Sequence, residues 1–246
     1  MSIYISRRQA IGRVWQRRFG RFRLVRESRV QSTNAVHAAQ GIVSTMCAGN
    51  EGVADWFVFV GASELRVGLI ERKPGVASRA DWQALAGKEM LTDRGLAGAG
   101  WNIGVDLLPG ARFVLAVAIK TSLVDALERT AAGRGAHIRS VRPLSVEMLR
   151  REAQRDGGAD GITMAERDAV ATFVDSGQVR GAYAVMSDDG RRDLSTELAR
   201  ARLLIRRSDA INLRAFLFDA SDDKEAACAV KSPRVDFSDL WREIPL

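Results

Sequence analysis

The chain has 246 residues, of which 46% are hydrophobic and 27% are charged, a composition typical of a globular protein with one large core or two smaller ones. Its uncharged apolar runs are far shorter than the roughly 20 residues of a membrane-spanning helix, so we expect this part of the chain to be soluble. Two cysteines, Cys47 and Cys228, lack a metal-spaced partner, which favours a reducing compartment and argues against a zinc site.

The positive charge is concentrated near the start of the chain. Residues 1–30 contain nine arginines and one acid, Glu27, and this segment therefore accounts for the net charge of +7. Such a segment suits anionic phospholipid, phosphate groups or an acidic protein partner, and charge alone does not choose among them. The arginines that we predict to bind an anionic surface or a partner are Arg7, Arg8, Arg13, Arg17, Arg18, Arg21 and Arg23.

We predict that residues 1–53 form a basic arm and an irregular or remodelled first segment. Two stretches inside it, residues 11–14 and 22–25, alternate apolar side chains with arginines, as in an edge hairpin whose arginines face water. A flexible arm is the alternative interpretation.

Apolar runs predict a first α/β subdomain over residues 54–155. It begins with a strand at 56–60 and a second apolar run at 64–72, and the short loop between them predicts a hairpin. Ser78 and Asp81 have the spacing of a capping box, which predicts the start of a helix.

A strand, a helix and a second strand follow one another at the centre of this subdomain. Residues 113–119 are uncharged and apolar, as in a strand buried on both faces, and residues 101–108 predict its antiparallel neighbour. Ser122 and Asp125 predict a second capping box for the helix. Residues 136–142 predict the second strand, parallel to the first and joined to it by a right-handed crossover.

A second α/β subdomain is predicted over residues 162–220. Residues 169–174 and 179–186 form a predicted hairpin, and residues 211–218 a further strand. The final residues, 221–246, are polar and then acidic and aromatic, which predicts a tail or a partner-docking peptide rather than part of a core.

An internal similarity suggests that the two subdomains are copies of one unit. Residues 59–66 align with residues 173–180, each an apolar strand, a small-residue turn and a strand with arginine at the same offset. Each pair of strands precedes a predicted helix, so the pattern indicates a duplicated α/β fold. Chance similarity between two hairpins is the alternative.

Residues 60–205 resemble a known family. The segments that carry the resemblance are Leu65-Arg-Val-Gly-Leu-Ile70, Trp82-Gln-Ala-Leu-Ala-Gly-Lys-Glu-Met90, the strand at Trp101, and Val117-Ala-Ile-Lys-Thr-Ser-Leu-Val-Asp-Ala-Leu127 followed by Gly135-Ala-His-Ile-Arg-Ser-Val-Arg-Pro143. They are similar to the actin-like cytoplasmic proteins of bacterial type IV pilus and type II secretion assembly platforms, the PilM and GspL group. The resemblance implies an α/β fold of duplicated actin-like (RNase H-like) mixed sheets with flanking helices.

The same resemblance implies a function. Members of this group do not usually catalyse the assembly reaction; they bind the cytoplasmic tail of an inner-membrane partner and pass on motion from a separate motor ATPase. We therefore expect a non-catalytic scaffold that is cytoplasmic and peripheral at the inner membrane. Its expected partners are inner-membrane assembly proteins and, through the basic arm, anionic lipid; an oligomer is compatible with this function, and no cofactor is expected.

Nucleotide hydrolysis is not expected. Actin-like ATPases place a D-x-G turn in both repeats, because backbone amides of the turn hold phosphate and the Asp positions metal or water. This chain has Asp175-Ser-Gly177 in the second repeat but Gly61-Ala-Ser63 in the first. Asp175 and Gly177 are the candidates for a phosphate contact, with a role in a hairpin turn as the alternative. No catalytic residue and no metal ligand is predicted.

Two alternative functions remain open. A nucleic-acid binder would use Trp15, Phe19 and Phe22, which interleave with the arginines and suit stacking on single strands, although no nucleic-acid-binding module is recognisable in the chain. An actin-like ATPase with a degenerate site is the other alternative. Further enzyme classes lack their usual general bases, since His37 and His137 are the only histidines and no hydrolase motif is present.

Overall fold

A computed structural model of the chain describes residues 1–18, 21–48, 55–93, 96, 100–107, 113–153, 161–166, 168–176, 179–186, 196, 199–200, 213–218 and 234–235. The helices in these ranges are α1 Ala35–Met46, α2 Arg79–Asp93, α3 Thr121–Ala132 and α4 Leu144–Ala153. The strands are β1 Ser2–Ile5, β2 Gln9–Arg18, β3 Arg21–Gln31, β4 Asp55–Val60, β5 Leu65–Glu71, β6 Trp101–Asp106, β7 Phe113–Lys120, β8 His137–Pro143, β9 Gly161–Ala165, β10 Ala169–Ser176, β11 Val179–Met186, β12 Leu213–Phe218 and β13 Arg234–Val235. A short 3₁₀ turn, Ala62–Glu64, lies between β4 and β5.

The first sheet has five strands in the order β3-β2-β1-β4-β8. β1, β2 and β3 form an antiparallel meander, and β4 and β8 run parallel to β1. β1 can lie at the centre because Ile3, Tyr4 and Ile5 form an uncharged run whose side chains are all buried. The described residues of the segment 1–53 form three strands and α1 rather than an irregular segment. β2 and β3 form the predicted hairpin at the edge of the sheet, but Arg13, which was expected to face water, is buried.

The second sheet repeats this topology with the strand order β11-β10-β9-β12-β13. β9, β10 and β11 form an antiparallel meander, β12 runs parallel to β9, and β13 runs parallel to β12. The duplication that the sequence predicts is present, but the repeated unit is a three-stranded meander followed by two parallel strands. Within the predicted C-terminal tail, Arg234–Val235 belongs to this sheet, and the other tail residues lie outside the described part of the chain.

A third, smaller sheet in the order β5-β7-β6 is inserted between β4 and α3. Its strands are antiparallel, which confirms the predicted pairing of residues 101–108 with residues 113–119 for the described residues. α2 covers one face, where Trp82 and Met90 pack with Val114 and other small apolar residues of the sheet. The inserted sheet thus has a core of its own.

Two predicted strand pairs are wrong. β4 and β5 do not form a hairpin, because the 3₁₀ turn leads the chain out of the first sheet and into the third. β7 and β8 do not pair, because β7 already has β5 and β6 as neighbours on its two edges, and β8 pairs with β4 instead.

The two large sheets share one hydrophobic core. Trp56 and Phe59 from the first sheet and Phe173 from the second are each at most 2% exposed and belong to the same cluster. The rings of Tyr4 and Phe218, one from each sheet, lie 4.8 Å apart between centroids. We call the part of the molecule built on the first large sheet the first half and the part built on the second large sheet the second half. The two halves are held together by burial of apolar surface as well as by the polar contacts described below.

Candidate functional site

The first turns of the two large sheets face each other where the halves meet. In the β1–β2 turn the Ser6 N–H donates to the Gln9 carbonyl at 2.8 Å, and in the β9–β10 turn the Glu166 N–H donates to the Ala169 carbonyl at 2.8 Å. The two turns thus have the same backbone hydrogen bond at the same place in the repeated topology. We call these two turns, together with the 3₁₀ turn Ala62–Glu64, the junction.

The carboxyl group of Glu166, from the second half, accepts the hydrogen bond of the Ala62 backbone N–H in the junction. The Ala62 N–H lies 3.0 Å from both carboxyl oxygens of Glu166, and the Tyr4 hydroxyl donates to Glu166 Oε2 at 2.6 Å. Burial raises the pKa of Glu166 to about 8, and burial with the neighbouring carboxyl groups raises the pKa of Tyr4 well above its ordinary value. The close approach requires glycine at position 61, where a Cβ would lie 2.5 Å from Glu166 Oε2.

Two further acids line the junction. Asp168 Oδ2 accepts from the Arg8 N–H at 3.2 Å and from the Ser63 hydroxyl at 3.3 Å, while its buried Oδ1 has no hydrogen-bond partner among the described residues. Burial raises the pKa of Glu64, although Lys120 Nζ lies 3.7 Å from its carboxylate and opposes the shift. A phosphate group at the junction would therefore have to displace a buried carboxyl group from the Ala62 N–H. The described residues contain no cluster of three metal-ligating side chains.

Asp175, one of the two residues predicted to contact phosphate, lies away from the junction. It is at the end of β10 that joins β11, opposite Arg180 in the ladder. This end is about 20 Å from the β9–β10 turn, at about 3.3 Å for each strand residue. Gly177 lies outside the described residues. A phosphate contact at Asp175 and Gly177 stays a prediction.

The seven predicted arginines are divided among three places. The exposed Arg7 and Arg8 belong to the β1–β2 turn, where the Arg7 N–H donates to the Ser63 hydroxyl at 3.0 Å. Arg13 is buried and contacts Glu27 at 2.6 Å. The other four lie in the far half of the β2–β3 hairpin: Arg17, Arg18, Arg21 and Arg23. The arginines do not form one continuous patch, and their binding role stays a prediction.

A cavity of about 690 Å³ lies between the inserted sheet and the first half, and we call it the groove. Its apolar floor is formed by Val117 and Ile119 of β7, Val124 of α3, Val141 of β8 and Val146 of α4. Its rim is charged and consists of Arg79, Asp106, Glu128, Arg142, Glu147 and Arg150. This size and this mixture of apolar and polar surface are typical of ligand sites.

Two strand edges face the groove. Residues of β6, the edge strand of the inserted sheet, and of β8, the edge strand of the first sheet, both line the cavity. Gly104 of β6 is opposite Val117 in the ladder, so both residues face the groove, and a Cβ at Gly104 would have no atom within 4 Å. The missing side chain at Gly104 therefore keeps this part of the groove open.

An ion pair crosses the groove from α4 to the inserted sheet. Arg150 Nε lies 3.0 Å from Asp106 Oδ2, and Arg142 Nη1 lies 3.1 Å from Glu147 Oε2. Burial raises the pKa of Asp106, and the charge of Arg150 opposes that shift. The arrangement places an apolar floor under a rim of charged side chains.

Neither the groove nor the junction was predicted from the sequence. The groove residues come from six elements, and only long-range strand pairing places those elements around one cavity. The junction had a local signal, because Glu166 and Asp168 interrupt two apolar runs, as turn residues between strands do. No helix among the described residues is long and apolar enough to cross a membrane.

Comparisons with known proteins identify the fold. No protein-family model matches the sequence, and no curated protein matches it. The cytoplasmic domain of EpsL, an inner-membrane component of the type II secretion system of Vibrio cholerae, is similar in structure, with a TM-score of 0.56 and 16% identity over 88% of this chain and 80% of that one.

Two further solved structures are similar. A Bacteroides thetaiotaomicron protein of unknown function with an actin-like ATPase fold has a TM-score of 0.62 and 11% identity over 91% of this chain and 83% of that one. A chain of the PilM–PilN type IV pilus biogenesis complex has a TM-score of 0.53 and 11% identity over 88% of this chain and 80% of that one. These likenesses confirm the predicted resemblance at the level of structure: the chain has the actin-like ATPase fold, built from duplicated mixed sheets with flanking helices.

Proposed function

We propose that this chain is a non-catalytic scaffold at the cytoplasmic face of a bacterial inner-membrane assembly platform, where it holds a cytoplasmic segment of a membrane partner. The observation that carries the proposal is the groove, which combines an apolar floor, a charged rim and two strand edges. The structural likeness supports it, because EpsL is an inner-membrane component of a secretion system and PilM forms a complex with PilN.

An extended segment of the partner suits the groove, and we assign it to the edge of β8. A segment added to a sheet edge gains main-chain hydrogen bonds, and its alternate side chains enter pockets on one face. The β6 edge is less available, because its Ile103 and Val105 carbonyls already accept hydrogen bonds from the side chains of Gln83 and Arg79. The valines of the floor would then contact every second side chain of the partner.

The rim would select the partner by the positions of its charges. Three acids and three arginines line the rim of the groove, so the formal charges of the rim sum to zero. A partner segment with a charge opposite a like charge of the rim would be rejected, because such contacts cost several kcal/mol. The charged rim therefore supplies specificity, and the apolar floor supplies most of the affinity.

The junction supports a non-catalytic role. The amide of Ala62 is already occupied by the carboxyl group of Glu166, and Glu64 and Asp168 are also present. A triphosphate placed there would need to displace the buried carboxyl group of Glu166, because both would compete for the same N–H donor. This occupancy disfavours the actin-like ATPase alternative.

The test is a binding measurement with one variant that fills the groove. The probe is a synthetic peptide with the sequence of the cytoplasmic segment of a candidate inner-membrane partner, and its Kd is measured by fluorescence anisotropy. We expect Gly104→Phe to weaken binding by about tenfold or more, since the ring would occupy the floor that the peptide needs.

Gly181→Phe is the matched control. Gly181 is also a strand glycine whose Cβ would have no atom within 4 Å, and it does not line the groove. This variant should bind the peptide like the unchanged chain. Equal binding by both variants would place the peptide elsewhere on the molecule, and a peptide that fails to bind the unchanged chain would contradict the proposal itself.

A further inference from the structure

The part of the β2–β3 hairpin nearest its turn extends beyond β1. Only the other part of β2 pairs with β1. β1 pairs with β2 only from Ala10 to Arg13, whereas β2 pairs with β3 as far as the Arg18–Arg21 pair. Residues 14–18 and 21–26, which we call the distal hairpin, therefore have no other strand beside them in the described part of the chain. At the base of this region Arg26 Nη1 donates to the carbonyl of Met46, the last residue of α1, at 3.0 Å.

The distal hairpin is strongly basic. It carries five arginines and no acid, and the nearest acid in the sequence, Glu27, is paired with Arg13 and Arg29. In the backbone ladder, Arg18 and Arg21 are paired at the end of the two strands.

Exposed aliphatic side chains lie beside these charges. The ladder shifts register between Val14 and Trp15, and near this shift Leu24 is 38% exposed and Val25 is 50% exposed. Phosphate groups alone would gain nothing from these two side chains. A membrane surface with anionic lipid can bind both kinds of side chain. Arginines contact the anionic headgroups, and aliphatic side chains insert where the headgroups meet the acyl chains.

We propose that the distal hairpin binds the surface of a membrane that contains anionic lipid. The proposal is independent of the groove, which would hold a protein partner. It also revises which arginines matter: Arg7 and Arg8 belong to the β1–β2 turn at the other end of β2, and Arg13 is buried against Glu27. The lipid-binding arginines are therefore those of the hairpin end.

The first test compares two double variants that remove the same charge. The intact chain is sedimented with vesicles of phosphatidylcholine alone or mixed with phosphatidylglycerol. We expect binding only to the mixed vesicles, and a loss of about 30-fold in Arg21→Gln/Arg23→Gln, given the usual contribution of each basic residue near an anionic surface. Arg7→Gln/Arg8→Gln, in which both changed side chains are exposed, should bind within about threefold of the unchanged chain.

An equal loss in both double variants would overturn the proposal, because net charge and not the distal hairpin would then control binding. Absence of binding to the mixed vesicles by the unchanged chain would overturn it as well. Thermal melts followed by circular dichroism show whether each variant is folded, so that a loss of binding is not confused with unfolding.

The second test separates a membrane from a nucleic acid. Leu24→Ser/Val25→Ser should reduce vesicle binding, while Leu91→Ser, which changes an exposed leucine on α2, should not. A single-stranded oligonucleotide, followed by fluorescence anisotropy, is the comparison probe. If the chain binds the oligonucleotide tightly at physiological salt, with no effect of the Leu24→Ser/Val25→Ser change, and does not bind the vesicles, the surface is a nucleic-acid site and the proposal is wrong.

Discussion

Gly61 controls how closely the two halves approach each other. Its missing side chain leaves room for the Glu166 carboxyl group and the Tyr4 hydroxyl, which a Cβ would approach to 2.5 and 2.8 Å. These distances are shorter than ordinary contacts, and Ser6 Cβ would lie only 3.0 Å away. In the sequence, Gly61 is only one small residue in a loop. In the structure, the junction can pack only because Gly61 has no side chain.

Gly61→Ala should destabilise the protein by about 1–3 kcal/mol, because overpacking of a buried site forces its neighbours to move. The measurement is the free energy of unfolding in urea. Gly87→Ala is the control, since a Cβ at this position of α2 would have no atom within 4 Å and alanine is the better helix former. Unchanged stability in Gly61→Ala would show that the junction is looser than the structure describes.

Glu166 should make stability depend on pH. Its pKa in the folded protein, about 8, lies above its ordinary value of 4.5, so the folded state holds the proton more tightly than the unfolded state. The stabilisation is fully present below about pH 4.5 and is lost as the pH rises through 8. The cause is burial of a carboxyl group that must lose its proton at high pH.

Glu166→Gln should remove this pH dependence. The amide keeps an oxygen for the Ala62 N–H, so the variant should match the unchanged protein near pH 5. Near pH 9 it should be more stable by roughly 2–5 kcal/mol, at about 1.36 kcal/mol for each pKa unit. Urea unfolding at the two pH values measures the difference, and parallel pH profiles for the two proteins would contradict it.

At the scale of single elements, the sequence predicted which segments are strands and helices. It was less informative about which residues cap the helices. The capping box of α2 is confirmed: the Asp81 N–H donates to Ser78 Oγ at 3.1 Å, and the Ser78 N–H donates to Asp81 Oδ2 at 3.3 Å. The box predicted at Ser122 is absent, because β7 runs directly into α3 and the N-cap residue is Lys120. Spacing alone does not reveal where a preceding strand ends.

This pair of sites provides a matched test of capping. Ser78→Ala should lower the free energy of unfolding by about 1 kcal/mol. The Ser78 hydroxyl accepts from the Asp81 N–H and donates to the Asp81 carboxylate, and both hydrogen bonds would be lost. Ser122→Ala changes an exposed residue inside the first turn of α3 and should be neutral or slightly stabilising, because alanine favours the helix interior. A larger loss of stability in Ser122→Ala than in Ser78→Ala would contradict the conclusion that Ser78, and not Ser122, caps its helix.

Strand partners were the least predictable feature of the elements. β4 and β8 are parallel neighbours although about 80 residues separate them, and β7 lies in a different sheet from both. Periodicity describes the faces of one strand and contains no information about its neighbour. The groove depends on these partners, so its valines were recognised as apolar positions but not as one surface.

At the scale of the whole molecule, the duplicated α/β architecture was predictable but its repeat was not. The aligned segments, residues 59–66 and 173–180, occupy different places: the first leads into the inserted sheet and the second is the β10–β11 hairpin. The true counterparts are the meanders that start with β1 and β9. Their sequences share buried apolar positions without a common motif, and only the pairing pattern reveals the relationship.

Millimolar Mg-ATP should leave the melting temperature of the intact chain unchanged. A ligand that binds the folded state raises the melting temperature by an amount that grows with the ratio of its concentration to its Kd. At the junction the Ala62 N–H is already occupied by Glu166, which disfavours a bound triphosphate. Differential scanning fluorimetry with and without Mg-ATP measures the effect. A clear rise that is lost on a change at Asp175 would instead support the phosphate contact predicted there.

The inserted sheet is joined to the rest of the chain at two neighbouring points. The chain leaves the first sheet through the 3₁₀ turn Ala62–Glu64 and returns at Lys120, and the side chains of Glu64 and Lys120 lie 3.7 Å apart. The same 3₁₀ turn contacts Glu166 and Asp168 of the second half. A force applied to a peptide bound in the groove would therefore act on the 3₁₀ turn, which directly contacts the second half.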